Sequence, residues 1–287
     1  MISIVIPAHN EAGVIARTLS AITDGLLSGE ADIVVVCNGC SDDTAEIARR
    51  WGSPIRVVET TTANKASALN LGDRAAGSVF PRFYIDADIV VGLNTICALA
   101  DRLSKGDVLA VAPIGRVETS QCSWPVRWFF EVASLLPSAY EGIGGSGVYA
   151  LSCDGRSRFD DFPNVIAEDA YVRIQFRPHE CETIPGLTST VYAPQRMKDL
   201  IQVKTRVRLG HLEVARMLPE AWRTRRTSNN RAILALFCHI YLWPKLLLYG
   251  YVTFLARAKA RYRLRTNVRV WERDSTSRAS TARRHTN

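Results

Sequence analysis

Two aspartates separated by one alanine, Asp86 and Asp88, stand between the apolar runs 83–85 and 89–91. Carboxylates this close at the exit of a buried strand repel each other, and they are costly to desolvate unless a cation joins them. Oxygen ligands of this kind suit Mg2+ or Mn2+, which take one or two protein carboxylates and complete their shell with water and substrate phosphates. A strand-end turn carrying two solvated aspartates is the other reading, and this stretch alone leaves both open. Other residues able to do chemistry are Pro7, His9, Asn10 and Glu11 after the first apolar run, Asn38 after the second, Lys65, and the pair Glu168 and Asp169. Acids in a first helical turn also serve the helix dipole, so the last pair has a purely structural reading as well. Cys37 and Cys40 have redox or half-zinc spacing, but no second Cys or Cys/His pair accompanies them, which favours a loop. Gly142, Gly144 and Gly147 formally fit GxGxxG. The stretch leads into a strand instead of following one, so it reads as a backbone loop that a substrate can approach closely, around Gly144, Gly145 and Ser146.

The elements that must position these residues alternate. Apolar runs at 2–6, 33–36, 55–58 and 82–85 lack an amphipathic period, as expected of parallel strands covered on both faces. Between them lie helical stretches at 14–26, 44–51 and 64–75, with Ser41 or Asp42 as a cap for the second. Strict strand–helix alternation predicts an α/β fold, a mostly parallel sheet with helices on both faces. In such sheets ligands bind at the carboxyl ends of the strands, where loops 7–11, 38–43 and 86–88 all fall. That convergence favours the metal reading of Asp86 and Asp88. Further on, a helix is expected at 93–103, a strand at 107–116, an aromatic-rich helix at 123–136, two short strands within 182–191, and a basic amphipathic helix or helix pair at 197–218.

The 287 residues are 47% hydrophobic and 22% charged, ordinary for a globular protein, with a formal net charge of +8 concentrated after Gln195. A basic C-terminal third points to anionic partners. Aromatics are not interleaved with the basic clusters at a recognisable module spacing, which argues against nucleic acid. Seven cysteines without framework spacing suit a reducing compartment. No signal peptide is expected, since the N-terminus enters a strand at once. Residues 232–256 are almost wholly apolar and long enough to span a bilayer, but His239, Pro244 and Lys245 argue against spanning. The expectation is a helix pair broken near Pro244 and lying on the cytoplasmic membrane face, with its basic neighbours on anionic lipid. The tail, 263–287, reads as disordered.

Five motifs in order, IVIPAHNE (4–11), VVVCNGCSDDT (34–44), NKASALNLG (64–72), YIDADI (84–89) and AEDAYVR (167–173), resemble the inverting family 2 glycosyltransferases of GT-A fold. The resemblance covers roughly the first two-thirds of the chain. It implies a nucleotide-sugar-binding half at 1–92, an acceptor-binding and catalytic half at 93–195, and an extension of basic and apolar helices at 196–262. It further implies that Pro7, His9, Asn10 and Glu11 line the nucleoside pocket, that Lys65 approaches the nucleotide, that Asp86 faces the ribose or sugar, and that Asp88 holds Mn2+ or Mg2+ on the diphosphate. Asp169 would be the catalytic base, with Glu168 and the glycine loop on the acceptor side. Gln202, Arg206 and Arg208 would close over the diphosphate, although the family's usual tryptophan is absent there. Asn38 stands where many relatives have an aspartate facing the base; its amide can still pair with a pyrimidine edge, as in a UDP donor. The acceptor would be a glycan or a lipid-linked hydroxyl, in polysaccharide or glycolipid synthesis. A non-catalytic nucleotide-sugar-binding homologue acting as an assembly partner is the alternative.

Overall fold

A computed structural model describes residues 1–225 and 227–266. Seven strands, β1 (Ile2–Ala8), β2 (Ala31–Asn38), β3 (Ile55–Thr60), β4 (Arg82–Ile85), β5 (Ala110–Glu118), β6 (Val148–Leu151) and β7 (Cys181–Tyr192), form one sheet in the order β3-β2-β1-β4-β6-β5-β7. The first four strands run parallel, β6 is antiparallel to both β4 and β5, and β7 is parallel to β5. The helices among them are α1 (Ile15–Thr23), α2 (Thr44–Arg49), α3 (Lys65–Ala76), α4 (Leu93–Ser104), α5 (Trp124–Ser134), α6 (Cys153–Arg156) and α7 (Glu168–Arg173). After the sheet come α8 (Met197–Met217), α9 (Pro219–Arg225), α10 (Asn230–Leu236) and α11 (Trp243–Thr266).

The unbroken apolar runs are explained by cover on both faces. Ile4, Ile6, Ile33, Val35, Phe83 and Ile85 pack against α1 and α4 through Leu19, Ile22, Ile96 and Leu99. The alternate residues Val5, Val34, Val36 and Tyr84 pack against α3 through Ala66, Ala68 and Leu69. Gly72 lets α3 lie this close to the sheet, since a Cβ there would come within 2.3 Å of Val5. Asn64 caps α3 by accepting from Ser67 N at 2.9 Å.

Three expectations are corrected. Residues 181–192 make one strand: Pro185-Gly186 resembles a turn but is absorbed as an irregularity, with Gly186 at φ 86° and the register jumping from Ala112↔Thr183 to Ile114↔Thr188. Asp43, not Ser41 or Asp42, is the cap position of α2; Asp42 instead accepts from Thr44 N at 3.1 Å. The expected break near Pro244 is present, across a 3-10 turn (Ile240–Leu242), with Pro244 itself in the first turn of α11, where its missing N–H leaves no bond unmade. Residues 263–266 are helical; the rest of the tail lies outside the described residues.

Helix α11 seats one side on the domain, with Val252 beside Phe129 and Leu200, Tyr249 stacked on Phe129 at 5.0 Å, and Leu246 on Val132. Among the described residues no single helix is long and apolar enough to cross a membrane. A pair bent by 119°, Pro219–Leu236 with Ile240–Thr266, meets that test together.

Candidate active site

The carboxyl ends of β1, β2 and β4 open into a cavity of about 390 Å³ lined by Pro7, His9, Glu11, Asn38, Lys65, Asp86, Asp88, Glu168, Asp169 and Arg206. The loops after β1 and β2 are sewn together by polar contacts. Asn10, at φ 52°, accepts from Ser41 N through its side chain, and its own N–H is directed at Cys40 Sγ at 3.3 Å. Glu11 N donates to Thr44 Oγ1 at 2.7 Å and Ala12 N to Asp42 at 3.1 Å. His9 donates from Nδ1 to Asn38 O at 2.6 Å. Cys40 donates to Ala8 O at 3.4 Å, and burial pushes the Cys37 thiol up to about 12. Both cysteines are free.

The Asn38 amide is engaged by the backbone. Oriented so that its nitrogen meets an acceptor and its oxygen a donor, it donates to Ala8 O at 2.8 Å and accepts from Asn64 N at 3.3 Å, tying β1 and β2 to the head of α3. Its side chain thus reaches the cavity wall with both ends already bonded.

The Asp86–Asp88 turn is held from two sides. Thr18 donates to Ala87 O at 2.8 Å and Arg17 to Asp88 O at 3.1 Å, so α1 fixes the carbonyls and leaves the carboxylates facing the cavity. From the other side Asp86 N donates to Gly147 O at 2.9 Å, and Gly147, at φ 65°, has no room for a Cβ against Ile89. Lys65, in the first turn of α3, donates to Asp86 Oδ1 at 2.6 Å and also pairs with Glu168 Oε1. Burial lowers the Lys65 amine, but Asp86 and Glu168 together more than reverse this and hold it cationic. Glu168 is 4% exposed; burial raises its carboxyl, and Lys65 opposes that shift. Asp169 accepts from Ala170 N through Oδ1 at 2.7 Å, and its Oδ2 faces Gly144.

Charge decides whether this cavity suits a divalent cation. Six carboxylates line it, Glu11, Asp86, Asp88, Glu168, Asp169 and Glu213, against the side-chain cations Lys65 and Arg206. Among the described residues no group of three or more ligating side chains forms a cage. An anionic wall with one or two available carboxylates fits Mg2+ or Mn2+ shared with substrate phosphates. Asp86 is engaged by Lys65, and Asp88, on the same wall at the end of β4, is the residue that would hold it.

Of the other expected site residues, Arg206 reaches the cavity, accompanied by Val207, His211 and Glu213. Gln202 and Arg208 are not among the lining residues, and the helical period sets Arg208 on the far side of α8 from Arg206. Gly210 lets α8 close on the loop before α7, since a Cβ there would meet Ala167 at 2.7 Å. Ser146 is fully buried: its hydroxyl lies 2.7 Å from Gly142 O and 2.6 Å from Val148 O, and Ser189 donates to its carbonyl, so it holds the glycine loop in shape. Arg17, Thr18 and His211 carry no motif and were not singled out from sequence.

A nucleoside-sized crevice at the switch point of the sheet, acid-rich where strand β4 ends, defines a nucleotide-sugar transferase of the GT-A class. The family model "Glycosyl transferase family 2" matches residues 3–149, and the chain belongs to that family. No curated protein sequence matches. Among solved structures, the mannosyltransferase PcManGT from Pyrobaculum calidifontis in complex with GDP-Man and Mn2+ is 20% identical, with 93% of this chain and 88% of that one covered and a TM-score of 0.65. Glucosyl-3-phosphoglycerate synthase from Mycobacterium tuberculosis, in complex with Mg2+ and UDP, is 21% identical over 75% and 78% of the two chains, with a TM-score of 0.55. Residues 1–349 of S. aureus TarS in complex with UDP are 11% identical over 94% and 93%, with a TM-score of 0.51. At these identities the likeness establishes the fold.

Proposed function

We propose that this glycosyltransferase is metal-dependent and inverting, and moves a sugar from a nucleoside diphosphate to an acceptor hydroxyl, with Asp169 as base. The observation that carries the reading is the surplus of carboxylates beside Asp88, which an Mg2+ or Mn2+ ion and a diphosphate would together complement. When bound, the cation would neutralise charge gathering on the departing phosphates. Arg206 offers a guanidinium to the same oxygens. Asp169 takes the acceptor proton as the acceptor oxygen bonds to the anomeric carbon; the bond from that carbon to the phosphate oxygen breaks, and its electron pair leaves with the diphosphate. Attack from the side opposite the leaving group inverts the centre, and no covalent enzyme intermediate is needed. Lys65 acts by holding Asp86 and Glu168 in place around the reacting atoms. Calorimetry with UDP and with GDP, each with and without Mn2+, tests the donor site. Both bases are needed because the Asn38 amide is already bonded to backbone. Asp88→Ala should abolish the Mn2+-dependent part of the affinity, and an unchanged affinity in that variant would remove the metal assignment.

The same reading places the enzyme on the anionic inner face of the plasma membrane. Along α11, Leu247, Tyr251, Phe254 and Tyr262 form one stripe facing away from the domain, each more than half exposed, with Arg257, Lys259 and Arg261 beside it. Leu234, Phe237, Ile240, Tyr241 and Trp243 extend the apolar surface. An exposed apolar and aromatic stripe with basic residues beside it suits the headgroup boundary of an anionic bilayer. Sedimentation with phosphatidylcholine vesicles, with and without phosphatidylglycerol, should show binding that depends on the anionic lipid and is lost in Leu247→Glu/Phe254→Glu. Equal recovery in the supernatant for both vesicle types would refute this placement.

A further inference from the structure

A second cavity, of about 780 Å³, adjoins the donor cavity, and Gly144 and His211 line both. Asp169 stands at the junction, its Oδ2 3.7 Å from where a Cβ at Gly144 would lie, and Gly144 itself is at φ 96°, a conformation that favours glycine. The two cavities have opposite charge. The acids of the second are both neutralised by neighbours: Glu131 pairs with Lys245 and Glu141 with Arg173. That leaves Arg116, Arg127 and Lys204, which have no carboxylate partner among the described residues.

Lys204 is the most telling of the three. It projects from α8 over the rings of Phe129 and Phe130, at 5.4 and 5.2 Å from their centroids. Burial lowers its amine to about 8, and no nearby acid opposes the shift. A cation–π contact offsets only part of that lost hydration, less than a carboxylate would. An unpaired ammonium on the wall of a cavity next to the catalytic aspartate is costly to keep there unless an anion completes it. Lysine and arginine together suit a phosphate, one as a compact charge and the other as a planar fork.

We propose that the second cavity selects an acceptor bearing a phosphate group, held by Lys204 and Arg127, with the acceptor hydroxyl presented past Gly144 to Asp169. This rests on the reading of Asp169 as base. The phosphate could belong to a small soluble molecule or to a lipid, and one experiment separates these sources. Glycerol, glycerol 3-phosphate and dihexanoyl phosphatidic acid are titrated calorimetrically into the full chain and into Lys204→Met and Arg127→Gln, each checked for a native melt. Arg127 is exposed on α5, so its variant keeps the test usable if Lys204→Met fails to fold. At least one phosphate should bind where glycerol does not, and each folded variant should weaken it by about tenfold, the loss of one charged contact. Binding of the soluble phosphate, the lipid phosphate or both supports the proposal and names the source. It is overturned if neither phosphate binds, if both variants bind as the wild type does, or if UDP displaces the probe, which would put it in the donor cavity. UDP with Mn2+ is titrated separately into the wild type; failure there counts against the donor site and leaves the phosphate result standing.

Discussion

Helix α3 and strand β4 carry two buried charge clusters, one at each end, and the two are built on opposite principles. At the amino end of β4, Asp73 accepts from Arg82 at 2.9 Å, from the Tyr84 hydroxyl at 2.7 Å and from Arg156 at 2.6 Å. Arg82, only 3% exposed, also donates to Ser3 Oγ, and Arg156 also donates to Phe159 O. Two guanidiniums and a phenol surround one carboxylate, so each of its oxygens is bonded. At the carboxyl end the ratio reverses: Lys65 serves both Asp86 and Glu168, with Asp88 and Asp169 close by. The first cluster is closed within the protein. The second carries a surplus of negative charge that only something from outside can balance. A saturated buried ion cluster marks a structural joint, and an unbalanced one marks a site.

The contrast sets what mutations should do. Asp169→Asn, on the unbalanced side, should cut turnover by about two to four orders of magnitude while leaving nucleotide affinity nearly intact. Hydrolysis or transfer of whichever nucleotide sugar the wild type consumes reads this out; near-full activity would make Asp169 structural and return Glu168, Asp160 and Asp161 to consideration as base. Asp73→Ala, on the balanced side, strands Arg82 without a counter-charge and should cost about 3–5 kcal/mol in denaturant unfolding. A loss below about 1 kcal/mol would break the comparison. Glu168→Gln should do the reverse of Asp73→Ala. Removing one of several crowded carboxylates relieves repulsion and desolvation while Lys65 keeps Asp86, so stability should stay within about 1 kcal/mol of wild type or rise. The raised carboxyl of Glu168 gives the same sign: its contribution is fully present below the unfolded pKa and is lost as pH climbs through the higher folded one. Wild type should therefore lose more stability than the glutamine variant between mildly acid and neutral pH.

How far the sequence showed these two clusters depended on distance along the chain. The donor half was legible because each of its motifs sits within a few residues of a strand end, and the parallel alternation places strand ends together. Asp86, Asp88, Lys65 and Glu11 converge for that reason. The saturated cluster was not read from sequence: nothing local to the strand RFYI says that Asp73 and Arg156, nine residues before Arg82 and 74 after it, supply its partner and the second cation. Helix α8 shows the same limit. Its basic residues were apparent, yet the face it turns to the cavity depends on Gly210 docking at Ala167, so Arg206 was brought in and His211 was missed. Two strands were expected where β7 is one, and the Pro185-Gly186 pair within it shows why the count is hard to read: a turn and a bulge use the same residues.

The clusters separate most cleanly in a pair of small substitutions, read from two stacked tyrosines. Tyr84 and Tyr149 lie 4.9 Å apart on neighbouring strands, and both are almost fully buried. The Tyr84 hydroxyl donates to Asp73 and belongs to the saturated cluster; the Tyr149 hydroxyl faces Asp86, Glu168 and Asp169 and has no hydrogen-bond partner among the described residues. Removing a bonded hydroxyl gives up a charge-assisted bond and leaves Asp73 short of a donor, at a cost of about 1.5–3 kcal/mol. Removing an unbonded one gives up nothing within the protein and relieves its desolvation, so the change should be neutral or stabilising by up to about 1 kcal/mol. Tyr84→Phe should therefore unfold at lower denaturant than wild type with activity per folded molecule retained. Tyr149→Phe should unfold at the same or higher denaturant. Equal destabilisation by the two would mean that the Tyr149 hydroxyl is bonded in the working enzyme and that the acid-rich cluster is more nearly closed than its carboxylate count implies.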